Sequence, residues 1–236
     1  MVVLAKTDTV PHDETATTLI LSTSVVAVMT LSTGIDPLDR KIDGGIHPGS
    51  IVAIVTPPEA QVEPLLCASI GLRPTQYFTT VKTEDGIRRQ LERLGGDPQL
   101  EHLEHVGIDG ALTTIRDRTS DLGAERDVIV DVMDPLENDL SMTRYSTFLS
   151  DLSQRLIDTD SIGLFACLDS GHEPDNRELT LTIADYVLRL IPERGSKKLA
   201  YYLEVPKATG VTLTENERVF KIDLGSDVRI DRSRDI

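Results

Sequence analysis

The sequence predicts a wound α/β sheet: mainly parallel, twisted, flanked by helices, and ending in a short antiparallel β meander. Two observations predict it. Short apolar runs without polar alternation recur between segments of helical period, as expected of strands buried on both faces of a parallel sheet. After Lys198 the helical period stops and three short β runs follow one another, the pattern of hairpin connections. With 236 residues, 39% of them hydrophobic, the chain suits one α/β domain plus a tail at roughly 150 residues per domain.

Residues 1–28 are rich in Thr, Val and Ser, contain Pro11 and carry no helical period. They are expected to be a weakly ordered or non-native extension ahead of a start at Met29, with the domain spanning 29–236. The apolar stretch Leu19–Leu31 is broken by Ser22, Thr23, Ser24 and Thr30. Its 13 residues fall short of the ~18–20 needed to cross a bilayer. Lys6 stands against Asp8, Asp13 and Glu14, the opposite polarity to a signal peptide. A cytoplasmic protein without a membrane partner is the expectation.

Ile51-Val52-Ala53-Ile54-Val55 reads as the first buried strand. Glu84 to Leu94 reads as a helix with Ile87, Leu91 and Leu94 on one face and Gly95-Gly96 as its stop. Val128-Ile129-Val130 is a second buried strand ending at Asp131. Tyr145, Phe148, Leu149, Leu152 and Leu156 form a helical stripe. Ile162 to Cys167 and Tyr186 to Leu190 are further strands. Leu199 to Val205, Arg218 to Ile222 and Val228 to Ile230 make up the closing meander. Cys67 and Cys167 lie in apolar runs, which reads as free buried thiols and excludes a disulfide scaffold.

The charge is −15, from 24 Asp and 15 Glu against 17 Arg and 7 Lys. A negative surface nearly without lysine disfavours nucleic acid and anionic membrane as partners, because both need neutralising cations. The same balance resembles that of proteins from salt-accumulating haloarchaea, and implies a halophilic archaeal source in which most of the acidity is adaptation to salt.

Residues 33–58 hold the most specific pattern. Thr33-Gly34-Ile35-Asp36-Pro37-Leu38-Asp39 is followed by Gly44-Gly45-Ile46-His47-Pro48-Gly49-Ser50, then the first strand, then Thr56-Pro57-Pro58. This resembles the RecA superfamily and, within it, the archaeal KaiC-like branch. There a T-G-x-x-x-L-D segment and a glycine-rich segment lead into the phosphate-loop strand. The resemblance runs from about Leu31 to the C-terminus and implies a RecA-like P-loop fold.

A phosphate loop needs glycines so that backbone N–H groups wrap the phosphates, a Lys for the β/γ oxygens, and a Ser/Thr hydroxyl for Mg²⁺. The family pattern places Pro58, Glu59, Ala60, Gln61, Val62 and Glu63 in that loop. Glu59 and Gln61 stand for the inner glycines, Val62 for the lysine and Glu63 for the hydroxyl. Two carboxylates then face a polyanion, at about 1 kcal/mol per ~4 Å charge pair in water and several-fold more in a sheltered cleft. Because a helix N-terminus favours anions, Glu63 is expected to take the place of phosphate and leave the site sealed.

Other family positions are altered too. Where KaiC-like ATPases end a strand with paired glutamates, Tyr77-Phe78-Thr79-Thr80 runs into Val81-Lys82, with Glu84 and Asp85 beyond. Asp131 matches the Walker B aspartate, which supports Mg²⁺ through water; opposite a loop without Lys or hydroxyl it is expected to be structural. Lys207 matches the first residue of a late Lys-x-Arg pair, but Thr209 replaces the Arg, so a solvated lysine is expected. His102 and His105 sit in a strand-like run, where positions i and i+3 face opposite sides, and no metal site is expected. Ser170-Gly171-His172 lacks a Gly-x-Ser-x-Gly elbow. Arg88, Arg89 and Arg93 form the densest basic patch and read as a solvated helix face.

The resemblance therefore implies a pseudo-ATPase without catalytic residues or cofactor, acting as a regulator or scaffold. Its partner would be another protein, an active paralogue or further copies of itself. The alternative is a weak ATP binder or slow ATPase using ATP with magnesium, accessory to signalling or to DNA recombination and repair.

Overall fold

The central strand, β1 (Ile51–Thr56), is buried at every residue, because helices cover both faces of the sheet around it. The computed structural model describes residues 29–94, 99–138, 141–193, 201–224 and 228–230. The expectations for residues 1–28, for Gly95-Gly96 and for Leu199 fall outside them. The other strands are β2 (Thr75–Thr79), β3 (Leu100–His105), β4 (Asp127–Asp131), β5 (Ile162–Leu168), β6 (Tyr186–Pro192), β7 (Tyr201–Ala208), β8 (Val219–Leu224) and β9 (Val228–Ile230). They form one sheet in the order β3-β2-β4-β5-β1-β6-β7-β8-β9. The first six are parallel, and β6 to β9 pair antiparallel. This is the wound sheet and closing meander that the sequence predicts.

Helices α1 (Asp36–Lys41), α2 (Glu63–Ile70) and α3 (Glu84–Arg93) pack on one face. Their apolar residues, Leu38, Leu66, Ile87 and Leu91 among them, meet Val52, Ile54, Tyr77 and Ile129 of the sheet. Helices α4 (Ala111–Arg118), α5 (Asp134–Asn138), α6 (Met142–Asp158) and α7 (Arg177–Ile183) cover the other face. There Ile115, Leu136, Tyr145, Phe148 and Leu152 meet Ile51, Val55, Phe78, Val130 and Phe165. Alternate residues of a strand serve opposite layers. Each fully buried Ile or Val contributes about 1.5–3 kcal/mol. The caps are local: Thr83 accepts from Gly86 N at the start of α3, and Ser141 from Arg144 N at the start of α6.

The segment before β1 is held by Asp39. Its carboxylate accepts from Ser32 Oγ at 2.6 Å, Thr33 N at 3.0 Å and Thr33 Oγ1 at 2.6 Å. Gly34 has φ +79°, and a Cβ there would lie 1.9 Å from the Ala68 carbonyl oxygen on α2. Leu31 and Ile46 form an antiparallel bridge. Arg73 bonds the Ser32 carbonyl at 3.0 Å and grips the buried Asp127 at the start of β4, Nε to Oδ1 at 2.8 Å. The Thr-Gly-x-x-x-Leu-Asp pattern is thus a clasp that fixes this segment to α2.

Candidate functional site

Strands β1 and β4 end on the same side of the sheet, separated by β5. The chain leaves β1 at Thr56, turns through Pro58 and Glu59, and enters α2 at Glu63 with Pro64 in its first turn. The six loop positions have different fates. Pro58, Glu59 and Gln61 are exposed and Ala60 is partly covered. Val62 is buried in the core beside Leu65 and Leu66. Glu63 is largely buried and turns toward β2 and β4, where it meets Lys82. Of the two acidic residues in the loop, only Glu63 enters an ion pair among the described residues.

Lys82 follows β2, and its backbone is held from two sides. Its N–H donates to Thr79 Oγ1 at 3.1 Å, and its carbonyl accepts from His105 Nδ1 at 2.9 Å. The ammonium donates to Glu63 Oε1 and lies 3.5 Å from Asp131 Oδ2. Asp131, 2% exposed at the end of β4, also accepts from Tyr77 OH at 2.8 Å. Thr80 links β2 to the residue beyond Asp131: its hydroxyl bonds the Val132 N–H at 3.0 Å and the Val132 carbonyl at 2.8 Å. One ammonium therefore bridges two carboxylates carried by α2 and β4. The space enclosed by Glu63, Cys67, Tyr77 and Gln90 has no volume left for a water molecule.

The electrostatics follow the contacts. Burial disfavours the charged Glu63 carboxylate, but its hydrogen bond with Lys82 and the Lys82 charge outweigh this and hold it below the ordinary carboxylate range. Burial likewise opposes the Lys82 ammonium, and the neighbouring Asp131 and Glu63 raise it above the usual lysine value. For Asp131 burial prevails over Lys82 and Tyr77, and the carboxyl is raised. Cys67 is a free, half-buried thiol rather than a fully buried one; burial and the Glu63 charge push it up to about 12, which disfavours the thiolate.

Glu84 is the first residue of α3, and its carboxylate accepts from His105 N at 3.2 Å; it serves the α3–β3 junction and makes no contact with Asp131. Lys207 departs from the expectation of a solvated residue: its ammonium donates to the Leu181 and Thr182 carbonyls at 3.3 and 2.9 Å. It neutralises the C-terminal dipole of α7. His102 pairs with Glu104 at 2.7 Å while His105 bonds Lys82, so the two histidines have separate partners. Ser170 bonds the His172 carbonyl, not its ring.

Sequence reasoning misses Lys82 as the partner of Glu63, and the cluster around Glu137. That carboxylate, fully buried, accepts from Arg177 Nε at 2.8 Å, and Arg177 Nη2 also lies 3.0 Å from Asp134 Oδ1. Arg177 Nη1 reaches the Leu168 carbonyl at 3.0 Å. The only sequence signal is an Asp and a Glu three positions apart beyond a buried strand.

A six-stranded parallel core wound on both faces, with a strand-to-helix turn after the central strand and an aspartate ending a strand two places away, is an α/β architecture of RecA-like fold. The chain belongs to a family of unknown function, DUF7125, whose model matches residues 30–236. Its structure is similar to the crystal structure of a KaiC-like protein from the hyperthermophilic archaeon Pyrococcus horikoshii OT3. The TM-score is 0.67 at 16% identity, covering 86% of this chain and 99% of that one. At that identity the likeness establishes the fold. No curated protein sequence matches the chain. Among the described residues no helix is long and apolar enough to cross a membrane.

Proposed function

We propose that this chain is a RecA/KaiC-like pseudo-ATPase with a degenerate phosphate loop, which keeps the fold and acts as a regulatory or scaffolding protein through protein contacts. The observation that carries the reading is the transposed charge arrangement at the ends of β1, β2 and β4. The loop position that the family gives to a lysine is Val62, inside the core. The position of the hydroxyl carries the Glu63 carboxylate, and the ammonium comes from Lys82, bound to Glu63 and close to Asp131.

These residues do not fit a magnesium nucleotide. A polyphosphate arriving at the start of α2 would meet Glu63, and Mg²⁺ at Asp131 would have to displace Lys82. Both exchanges break a buried or half-buried pair. Nucleic acid finds equally little here. The segment Asp169–Glu178 holds four acids and one base, Arg177, and that base is turned inward onto Glu137 and Asp134. The function left to such a fold is contact with other proteins, whether an active paralogue or further copies of the chain, in a halophilic cytoplasm.

Calorimetric titration with ATP and Mg²⁺ in molar KCl tests the reading. No saturable heat is expected, and phosphate release should stay at the buffer background. Micromolar binding would overturn the proposal in favour of an ATP-dependent accessory protein.

A further inference from the structure

Two clefts adjoin on the face that carries α4 and α6, of about 260 and 210 Å³, and share Arg116, Phe148 and Asp151 in their walls. Leu112, Phe148 and Leu152 give them an apolar floor. The charged walls are Arg116, Arg144, Arg155, Asp151 and Asp158, three bases against two acids in a chain of net charge −15. Arg144, Asp151 and Arg155 form no ion pair among the described residues. Asp158 accepts from Gln154 Nε2 within its own helix at 2.8 Å.

Two chains of charge −15 repel, so close approach is favoured where the local field is balanced. This groove is such a place, and its charges are ordered along α6. Arg144, Asp151 and Asp158 are spaced by seven residues, which on an α-helix makes one stripe drifting by about 20° per repeat. The stripe is about 21 Å long at 1.5 Å per residue. If a second α6 lies antiparallel with the two-fold axis at Asp151, each Arg144 comes opposite the Asp158 of the other copy. The two Asp151 carboxylates at the axis have Arg155 one turn away on the same helix and Arg116 in the same wall.

We propose that the α4–α6 groove is a self-complementary contact between two copies of this chain, with Arg144 of each pairing with Asp158 of the other. A two-fold contact presents the same patch on both sides, so residue i meets j and j meets i. The proposal does not rest on the reading of the phosphate position.

Sedimentation equilibrium of the full chain tests it in about 0.5 M KCl, where a Debye length of about 4 Å damps the general repulsion but spares touching pairs. The wild type should be a dimer. Arg144→Glu and Asp158→Arg should each weaken the dimer by roughly tenfold or more, since each substitution sets two like-charge pairs face to face. The double variant, Arg144→Glu with Asp158→Arg, should recover wild-type association. A monomeric wild type overturns the proposal, as does a dimer indifferent to the single reversals. A double variant as weak as the singles overturns it too. ATP titration of the same samples reads the phosphate position independently.

Discussion

Gly34, ahead of α1 and packed against α2, and Gly71, which closes α2, show how differently two glycines are used. At Gly34 the backbone is left-handed and a methyl group would strike the Ala68 carbonyl oxygen. Gly34→Ala is expected to cost more than about 3 kcal/mol in urea unfolding. Gly71 has φ −75° and nothing within 4 Å of an added Cβ. Gly71→Ala should lie within about 0.5 kcal/mol of wild type, on the stabilising side, because alanine narrows the unfolded ensemble. The sequence announces Thr33, Gly34 and Asp39 as one pattern because the clasp spans only seven residues. The pairing of Glu63 with Lys82 is hidden in sequence. It spans 19 residues and depends on β2 lying beside β4, which follows from sheet order and not from local spacing.

Among elements, Lys82 ties α2 to β4 across the end of β2, and the tie has a pH signature. The ammonium is 38% exposed, so Lys82→Met is expected to cost a discounted 1–2 kcal/mol or about that. Asp131→Asn should stay within about 1 kcal/mol at neutral pH, because burial already disfavours the charged carboxyl there and the amide can keep the Tyr77 bond. Since the folded-state Lys82 is raised, its contribution is complete below the ordinary lysine value of 10.5 and is lost as pH climbs beyond it. Glu63 is lowered, so its share is present above 4.5 and disappears as pH falls below that value. The stability gap between wild type and Lys82→Met, measured by urea unfolding across pH, should close at both extremes. Strands such as β1, β4 and β5 are legible as elements because burial on both faces leaves unbroken apolar runs. Helices α1, α4, α5 and α7 span only five to eight residues, too few for a 3.6-residue period to register.

For the whole molecule the dominant quantity is charge. A net −15 repels itself more strongly in the compact state than in the expanded chain. Raising KCl from low to molar concentration should therefore lift the thermal midpoint by roughly 5 °C or more, equivalent to about 2 kcal/mol for a chain of this size. A midpoint insensitive to salt would show that acidic side chains are already offset by local pairs. Acidity also shapes how the sheet ends. Among the described residues strand β3 is an edge, paired only to β2. Its Glu101 and Glu104 are held by Arg126 and Arg118, and its His102 and Glu104 are paired with each other. A strand from another molecule seeking to extend the sheet there would have to align its backbone past a fringe of fixed, hydrated charges. That edge is thereby guarded against runaway fibrous stacking.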